Sequence, residues 1–215
     1  MKAWQRYERY LLSGEWHIHT SRTDGNNRVA EYCEIASRYP IPLLAFTEHV
    51  SIELTYDFNE FLEEIDSARS QYDLIILSGC EAKVLPDGSM NAPDCIIEEV
   101  DYPIFSFHGF PGDLDLYLDC TKMVFRDKRV NTWAHPGHLL ERQNMEIDSD
   151  ALKDMLKQMK HNNILLEVNR KYNLPRKEWI EEAERIGLKI VRGSDVHSIE
   201  ELEWSDNIFE ALRDK

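Results

Sequence analysis

Basic residues are scarce in this sequence relative to acidic ones. Its 215 residues include 25 Lys and Arg against 40 Asp and Glu, so the formal net charge is −15. The Lys and Arg residues form no dense tract and no basic patch interleaved with aromatic residues. A chain of this charge repels nucleic-acid backbones and anionic membrane surfaces unless positive charge is concentrated locally. The composition therefore argues against a general nucleic-acid binder and leaves a small phosphorylated partner possible.

Long apolar runs are also missing. No segment is long and apolar enough to cross a membrane. The N-terminal segment MKAWQRYERYLL carries charges between Trp4, Tyr7 and Leu11, instead of the continuous apolar core of a secretory signal. The helical spacing of these three residues predicts a short N-terminal helix within residues 1–13. We therefore expect a cytoplasmic protein without a membrane partner.

The few cysteines lack the Cys-x-x-Cys spacing of redox or zinc motifs. Most of them follow or lie within apolar stretches, which predicts buried free thiols in a reducing compartment. They are Cys33, Cys80, Cys95 and Cys120.

Seven short apolar runs with extended character recur along the chain. A chain of this length without internal repeats can bury one substantial core, so we expect a single domain over residues 1–215. The predicted strands are 15–19, 43–47, 74–79, 102–107, 130–134, 164–168 and 188–192.

Apolar residues at helical spacing lie between several of these runs. They predict amphipathic helices around residues 29–36, 58–65 and 152–159, and a further helix lies between positions 113 and 126. Near-continuous apolar strands that alternate with amphipathic helices predict a parallel sheet. Seven such units without an obvious edge strand favour an α/β fold closed into a barrel, with an open sheet as the alternative.

Two of the later helices are flanked by residues that are typical of helix ends. Ser149 and Asp150 can cap the helix that begins near Ala151. Pro175 suits the first turn of the next helix, and Gly187 ends that helix.

Histidines and acidic residues recur where the apolar runs stop. One histidine alone is usually a solvated or satisfied core residue, but six recurrences at equivalent positions are harder to dismiss. Reactive side chains of parallel β/α barrels gather where the strands end, so these residues predict a metal-dependent hydrolase. Of the eight histidines, only His161 lies outside the set, which is His17, His19, Asp24, His49, Glu81, His108, His135, His138, Asp195 and His197.

Two short chelating pairs lie at opposite ends of the chain. His17 and His19 are two residues apart, so an extended strand directs both imidazoles to one side. Asp195 and His197 repeat this spacing at the last strand, which in a closed barrel lies beside the first. Glu81 ends the third run, and one carboxylate can bridge two cations.

This ordered pattern resembles the polymerase and histidinol phosphatase (PHP) domain family. The family signature is HxH, an Asp or His a few residues on, (D/E)H, a Glu, two isolated histidines and a final DxH. The resemblance spans residues 14–198 and implies a distorted (β/α)7 barrel that hydrolyses phosphoesters with two or three metal ions. The matching residues are His17, His19, Asp24, His49, Glu81, His108, His135, Asp195 and His197.

The resemblance also implies how the ligands are divided among the metals. One metal would be held by His17, His19, Glu81 and Asp195, a second by Glu81, His108 and His135, and a third by Asp24, His49 and His197. Mixed imidazole and carboxylate ligands suit zinc, manganese or iron. Such ions polarise phosphoryl oxygens and generate hydroxide from bound water, so no serine or cysteine nucleophile is needed. Glu81, Asp195 and His197 are the predicted catalytic residues.

Other residues near the strand ends are candidates for substrate binding. A guanidinium can bind phosphate bidentately, although charged loop residues are usually solvated. His138 could contact substrate, support His135 or simply be exposed. The cationic candidates are Arg142, Arg170, Lys171 and Arg192.

Three acidic or amide residues have predicted supporting roles. Glu167 and Asn169, at the end of the sixth run, could face the pocket as orienting groups. Glu48 precedes a candidate ligand and should point away from it, which favours a structural role.

Three functions are compatible with these patterns. The leading one is a stand-alone phosphatase for a small phosphomonoester, similar to histidinol-phosphate phosphatases of the PHP family. The second is a phosphodiesterase or exonuclease resembling the PHP domains of bacterial DNA polymerases, which the acidic composition disfavours. The third is a non-catalytic binding module stabilised by metals, which the complete ligand set disfavours.

Overall fold

The structure, a computed structural model, describes residues 1–203, and a seven-stranded parallel sheet forms the centre of this part of the chain. Each strand pairs in parallel with the next in sequence, in the order β1 to β7. The strands are β1 (Glu15–Ile18), β2 (Leu43–Val50), β3 (Ile75–Lys83), β4 (Tyr102–Ser106), β5 (Thr132–Trp133), β6 (Leu165–Val168) and β7 (Ile190–Arg192).

The barrel closes between the first strand and the residues that follow the last one. Ile18 and Val196 form a parallel bridge. The amide of His19 donates to the Val196 carbonyl at 2.8 Å, and the amide of Val196 donates to the His17 carbonyl at 2.9 Å. The predicted (β/α)7 barrel is therefore confirmed, and its seam lies between two segments that carry candidate ligands.

Helices alternate with the strands and pack their apolar faces on the sheet. The apolar residues predicted at helical spacing in 29–36 and 152–159 are the buried faces of α2 and α7. Within residues 1–203 the helices are α1 (Ala3–Arg6), α2 (Val29–Ala36), α3 (Phe58–Gln71), α4 (Asp94–Glu99), α5 (Leu114–Phe125), α6 (His138–Gln143), α7 (Ser149–His161), α8 (Lys177–Ile186) and α9 (Ile199–Glu203).

The N-terminal segment covers the end of the barrel at which the strands begin. Instead of one helix over residues 1–13, it forms α1 and a separate 3-10 turn, Glu8–Tyr10. Trp4 and Leu11 are buried in a cluster with Leu43 and Tyr102, the first residues of β2 and β4. This packing leaves the opposite end of the barrel as the accessible mouth.

Strands β2 and β3 run further than the apolar runs that predict them. Their register continues from Thr47–Gly79 pairing through Glu48–Cys80 and His49–Glu81 to Val50–Ala82. These polar residues can remain in the strands because the backbone hydrogen bonds between strands do not depend on side chains that face the mouth. His49 and Glu81 therefore lie within strands rather than just after them.

Two of the predictions for helix boundaries are wrong. Asp148, not Ser149 or Asp150, caps α7, because its side chain accepts hydrogen bonds from the amides of residues 150 and 151 at 2.8 Å. Pro175 precedes α8, whose N-cap is Arg176, so it does not lie in the first helical turn. Gly187 ends α8 in the left-handed conformation, as predicted.

The cysteines are free thiols, and three of them are buried. Cys95 is exposed at the start of α4, so its predicted burial is wrong. Within residues 1–203 no helix has both the length and the apolar character needed to span a bilayer. Residues 204–215, the end of the predicted domain, lie outside the described residues.

The cap of α7 can be tested by substitution. Asp148→Ala should lower the free energy of unfolding by about 1 kcal/mol, because it removes the acceptor for two amides of the first turn. Ser149→Ala is the matched control and should change it by less than about 0.5 kcal/mol. Urea denaturation at fixed metal concentration measures both, and a larger loss for Ser149→Ala would contradict the assignment.

Candidate metal centre

One buried carboxylate occupies the middle of the barrel mouth. Glu81 is 2% exposed. Its Oε1 lies 3.2 Å from Nε2 of His108, which follows β4, and 2.9 Å from Nε2 of His135, which follows β5. The ligand atoms of these three residues lie within 4.8 Å of one another. They are the residues that the family resemblance implies for the second metal.

The other oxygen of Glu81 faces the imidazoles of β1 and β2. Its Oε2 lies 3.6 Å from Nε2 of His17, 3.4 Å from Nε2 of His19 and 3.0 Å from Nδ1 of His49. Asp195 completes this side, with its Oδ1 3.5 Å from His17 and 3.2 Å from His19. The structure thus brings together the four residues implied for the first metal.

A third group lies nearer the solvent. The structure brings the ring nitrogens of His19, His49 and His197 within 4.8 Å of one another. Asp24 lies beside this group, with its oxygens 3.4 Å from Nε2 of His49 and 3.3 Å from Nε2 of His197. The implied third set of Asp24, His49 and His197 is therefore adjacent in space, and His19 lies between it and the first set.

The nitrogen and oxygen atoms of this cluster are better suited to binding cations than to hydrogen bonding with one another. Nε2 of His17 and Nε2 of His19 lie 3.0 Å apart. If both nitrogens carry lone pairs, they cannot hydrogen-bond to each other, but both can bind the same cation. Among the described residues, Oε2 of Glu81 and Nδ1 of His19 are buried without a hydrogen-bond partner. Imidazole and carboxylate ligands in this number suit zinc, manganese or iron. The residues present can hold two or three such ions.

The pKa shifts within the cluster also indicate a site for cations. Burial lowers the pKa of His17, but the carboxylates of Glu167, Glu81 and Asp195 outweigh this and hold it well above its ordinary value. Burial raises the pKa of Glu81, but hydrogen bonds from His108 and other imidazoles hold it well below its usual range. Without a cation, protons take the place of the metal. Metal binding must therefore release protons and weaken as the pH falls.

Glu167 on β6 forms hydrogen bonds with two of the candidate ligands. It is 1% exposed, and Nδ1–H of His17 donates to its Oε2 at 2.8 Å. Its Oε1 accepts from the backbone amide of His135 and from Nδ2 of Asn169, both at 2.8 Å. A proton held on Nδ1 of His17 leaves Nε2 free to bind a cation. Glu167 thus contacts one candidate ligand of the first metal, His17, and one of the second, His135. These are the residues that it would orient in its predicted role.

Two candidate ligands have a strained backbone. His135 has φ = +30° and Asp195 has φ = +53°, both in the left-handed region that residues other than glycine seldom adopt. Such conformations persist where the surrounding structure imposes them and are concentrated at functional sites.

The loop that carries Asp24 is held by Glu48. This buried carboxylate accepts a hydrogen bond from the Thr20 amide at 2.7 Å and from the Thr23 hydroxyl at 2.5 Å. Gly25 has no room for a side chain, because a Cβ there would lie 2.3 Å from the His19 carbonyl oxygen. Glu48 therefore holds the loop that carries Asp24 and does not itself face the candidate metal sites, which agrees with its predicted structural role.

Of the four cationic candidates, Lys171 lies beside two candidate metal ligands. Its Nζ is 3.3 Å from Oδ2 of Asp195 and 3.0 Å from Nδ1 of His197. Arg192 does not lie in the open mouth. It is 5% exposed, and its Nε lies 3.5 Å from Oε2 of the fully buried Glu15, so its expected contact with substrate is corrected to an internal ion pair.

The remaining candidates are two exposed arginines and a histidine next to His135, from whose ring centroid that of His138 lies 5.6 Å away. Arg142 is exposed on α6, and Arg170 is exposed beside Lys171. His138 is half-buried, and its ring centroid lies 4.3 Å from that of Tyr172. Burial and the neighbouring histidines lower the pKa of His138 to about 4, so its ring is neutral at neutral pH.

One cation that lines the site, Lys83, is absent from the candidates predicted from the sequence. Lys83, the last residue of β3, contributes to a cavity of about 400 Å³ beside the ligands. The signal was present, because Lys83 follows Glu81 by two residues and so lies on the same face of the strand. The cavity is lined by Asp24, His49, Val50, Ser51, Glu81, Lys83, Asn91 and His108.

Comparison with curated proteins gives relatives of two kinds. The DNA polymerase/3′-5′ exonuclease PolX of Bacillus subtilis strain 168 is 29% identical over 205 residues, which is 89% of this chain but 35% of the polymerase. The protein named "Probable phosphatase" of Acetivibrio thermocellus is 26% identical over 214 residues, which is 92% of this chain and 85% of that protein. The chain thus spans about a third of the first relative and most of the second.

A solved structure has the same fold. Histidinol phosphate phosphatase from Lactococcus lactis, in complex with zinc, L-histidinol and phosphate, superposes with a TM-score of 0.74 at 18% sequence identity. The superposition covers 94% of this chain and 92% of that one. At the level of whole families, residues 15–171 match the PHP domain. Because this match covers most of the sequence and includes the ordered ligands from β1 to β5, the chain belongs to the PHP domain family.

Proposed function

We propose that the protein is a metal-dependent phosphoesterase that hydrolyses a small phosphomonoester. The observation that carries the proposal is the convergence of three groups of imidazole and carboxylate atoms, within residues 1–203, on one buried carboxylate, Glu81. Two or three bound divalent ions would polarise the phosphoryl oxygens and lower the pKa of a bound water.

The side chains of this chain would divide the remaining work. Glu81 would hold two ions together, because each of its oxygens faces a different group of imidazoles. Asp195 has one oxygen towards His19 and the other towards Lys171, so it is placed to hold a proton taken from the attacking water. Lys171 would bind a phosphoryl oxygen. His197 would complete the outer group next to Asp24.

The relatives support a phosphatase in particular. The relative named as a phosphatase aligns over nearly its whole length, as a stand-alone domain would. The structural neighbour binds zinc, a small alcohol and phosphate in the same fold. These likenesses favour zinc as one of the metals and a small phosphorylated compound as the substrate class.

A 3′-5′ exonuclease is the second candidate, since the polymerase relative aligns with most of this chain. A nuclease must hold several backbone phosphates, which needs a basic groove. The chain instead carries a net charge of −15. A binding module stabilised by metals, the third candidate, would show metal-dependent stability without turnover.

Substrate preference separates these functions. Metal-loaded protein should hydrolyse p-nitrophenyl phosphate with a kcat/KM roughly tenfold or more above that for bis(p-nitrophenyl) phosphate or single-stranded oligonucleotides. A monoester offers the metals one more unesterified oxygen than a diester, and the net charge of −15 repels a strand with many phosphates. Steady-state kinetics on one zinc- or manganese-loaded preparation measures this. Faster degradation of oligonucleotides than of every monoester would replace the phosphatase proposal with the exonuclease, and no turnover at all would favour the binding module.

The shared position of Glu81 predicts unequal metal loss in two variants. Glu81→Gln should remove more than one equivalent of bound metal, because the carboxylate faces two inner groups, whereas Asp24→Asn should mainly weaken the outer site. Plasma mass spectrometry of dialysed protein gives the metal content. Equal losses in the two variants would contradict this division of ligands.

The supporting role of Glu167 predicts a loss of metal affinity without loss of a ligand. Glu167→Gln should weaken metal binding by about 10- to 100-fold, because the amide cannot accept hydrogen bonds from both His17 and His135 as the carboxylate does. Competition with a chromogenic chelator measures the affinity. Glu178→Gln, an exposed change on α8, is the control, and an affinity in Glu167→Gln equal to that of the control would reject the role.

A further inference from the structure

Two hydrogen-bond donors without acceptors line the cavity beside the metal ligands. Nζ of Lys83 makes no hydrogen bond or ion pair with any residue between 1 and 203. Oδ1 of Asn91 accepts from the Ile52 amide at 3.3 Å, which fixes the orientation of the side-chain amide. Nδ2 of Asn91 is then the unused end, and it has no acceptor in the same part of the chain.

The position of Lys83 places its charge beyond the reacting centre. It follows Glu81 by two residues on β3, which is about 6.6 Å further towards the mouth. Nζ of Lys83 lies 3.5 Å from where a Cβ of Gly109 would be, next to His108. A phosphoryl group held at Glu81 would therefore leave Lys83 within reach of the rest of the substrate.

The other lysine of the mouth, Lys171, belongs to the reacting centre. Lys171 lies against the Asp195 carboxylate and the His197 ring. The acidic residues of the cavity face histidines, since Asp24 faces His49 and Glu81 faces His19 and His135. Between residues 1 and 203, Lys83 thus has no ion-pair partner, although the protein as a whole is strongly acidic.

We propose that Lys83 and Asn91 form a subsite for a carboxylate on the leaving group of the phosphomonoester. One ammonium and one amide N–H group match the two oxygens of a carboxylate, whereas a second phosphate is usually held by more donors or by a bidentate guanidinium. The inference rests on the proposed phosphatase function and narrows its substrates to phosphorylated hydroxy acids. The cavity of about 400 Å³ leaves room for a short carbon chain between the two anions.

A matched pair of substrates tests the subsite. Glycerate 3-phosphate and glycerol 3-phosphate differ in a carboxylate against a hydroxymethyl group. Metal-loaded protein should prefer the carboxylate by about tenfold in kcat/KM, the value of one charge-assisted hydrogen bond. Lys83→Met should bring this ratio close to one, mainly through KM for glycerate 3-phosphate, and Lys83→Arg should retain most of it. Lys157→Met, an exposed change on α7, should leave the ratio unchanged.

A binding measurement keeps the subsite testable without turnover. Calorimetry of metal-loaded protein with 3-phosphonopropionate and 3-hydroxypropylphosphonate compares the same two end groups, carboxylate and hydroxymethyl, on compounds that cannot be hydrolysed. A Lys83-dependent preference for 3-phosphonopropionate without hydrolysis of any ester would reject the phosphatase proposal and retain the subsite. Hydrolysis of both esters with equal efficiency, unchanged in Lys83→Met, would reject the subsite and retain the phosphatase. Stronger Lys83-dependent binding of propane-1,3-bisphosphonate than of 3-phosphonopropionate would overturn the choice of a carboxylate.

Discussion

Burial of a carboxylate among imidazoles is the constraint on which the architecture of the site depends. Glu81 is withdrawn from water, and both of its oxygens face ring nitrogens from neighbouring strands. A buried charge is costly unless it is paired, hydrogen-bonded or bound to a cation. The parallel barrel satisfies this condition by bringing the ends of successive strands to one mouth. Glu167 adds to it by fixing the rings that face the cluster.

The positions of the ligands could be predicted because they depend on topology more than on detail. A parallel barrel puts all strand ends on one side, so residues such as His17 and Asp195 become neighbours despite their distance in sequence. The exact strand ends could not be predicted. An apolar run ends at the first polar residue, but backbone pairing continues through His49 and Glu81, whose side chains face the centre of the mouth.

The roles of the basic residues were harder to predict for a physical reason. Arg192 and Lys83 each end a strand of the structure, but only Arg192 also ends a predicted apolar run, because the run that leads to Lys83 stops at residue 79. Only the packing shows that Arg192 is buried against Glu15, whereas Lys83 borders the cavity. The helix boundaries show the same limit, because Asp148 and Ser149 are both competent caps and the approach of the chain decides between them.

The seam of the barrel has a consequence for how such proteins change over evolutionary time. Few backbone hydrogen bonds join β1 to the segment around Val196, and the side chains on the two sides of the seam, His17 and His19 against Asp195, would share a metal. Selection for a closed barrel then adds to selection for the reaction in preserving these residues. Residues that only border the surrounding cavity, such as Lys83, are under neither constraint, so their substitutions are the more sensitive record of a change of substrate.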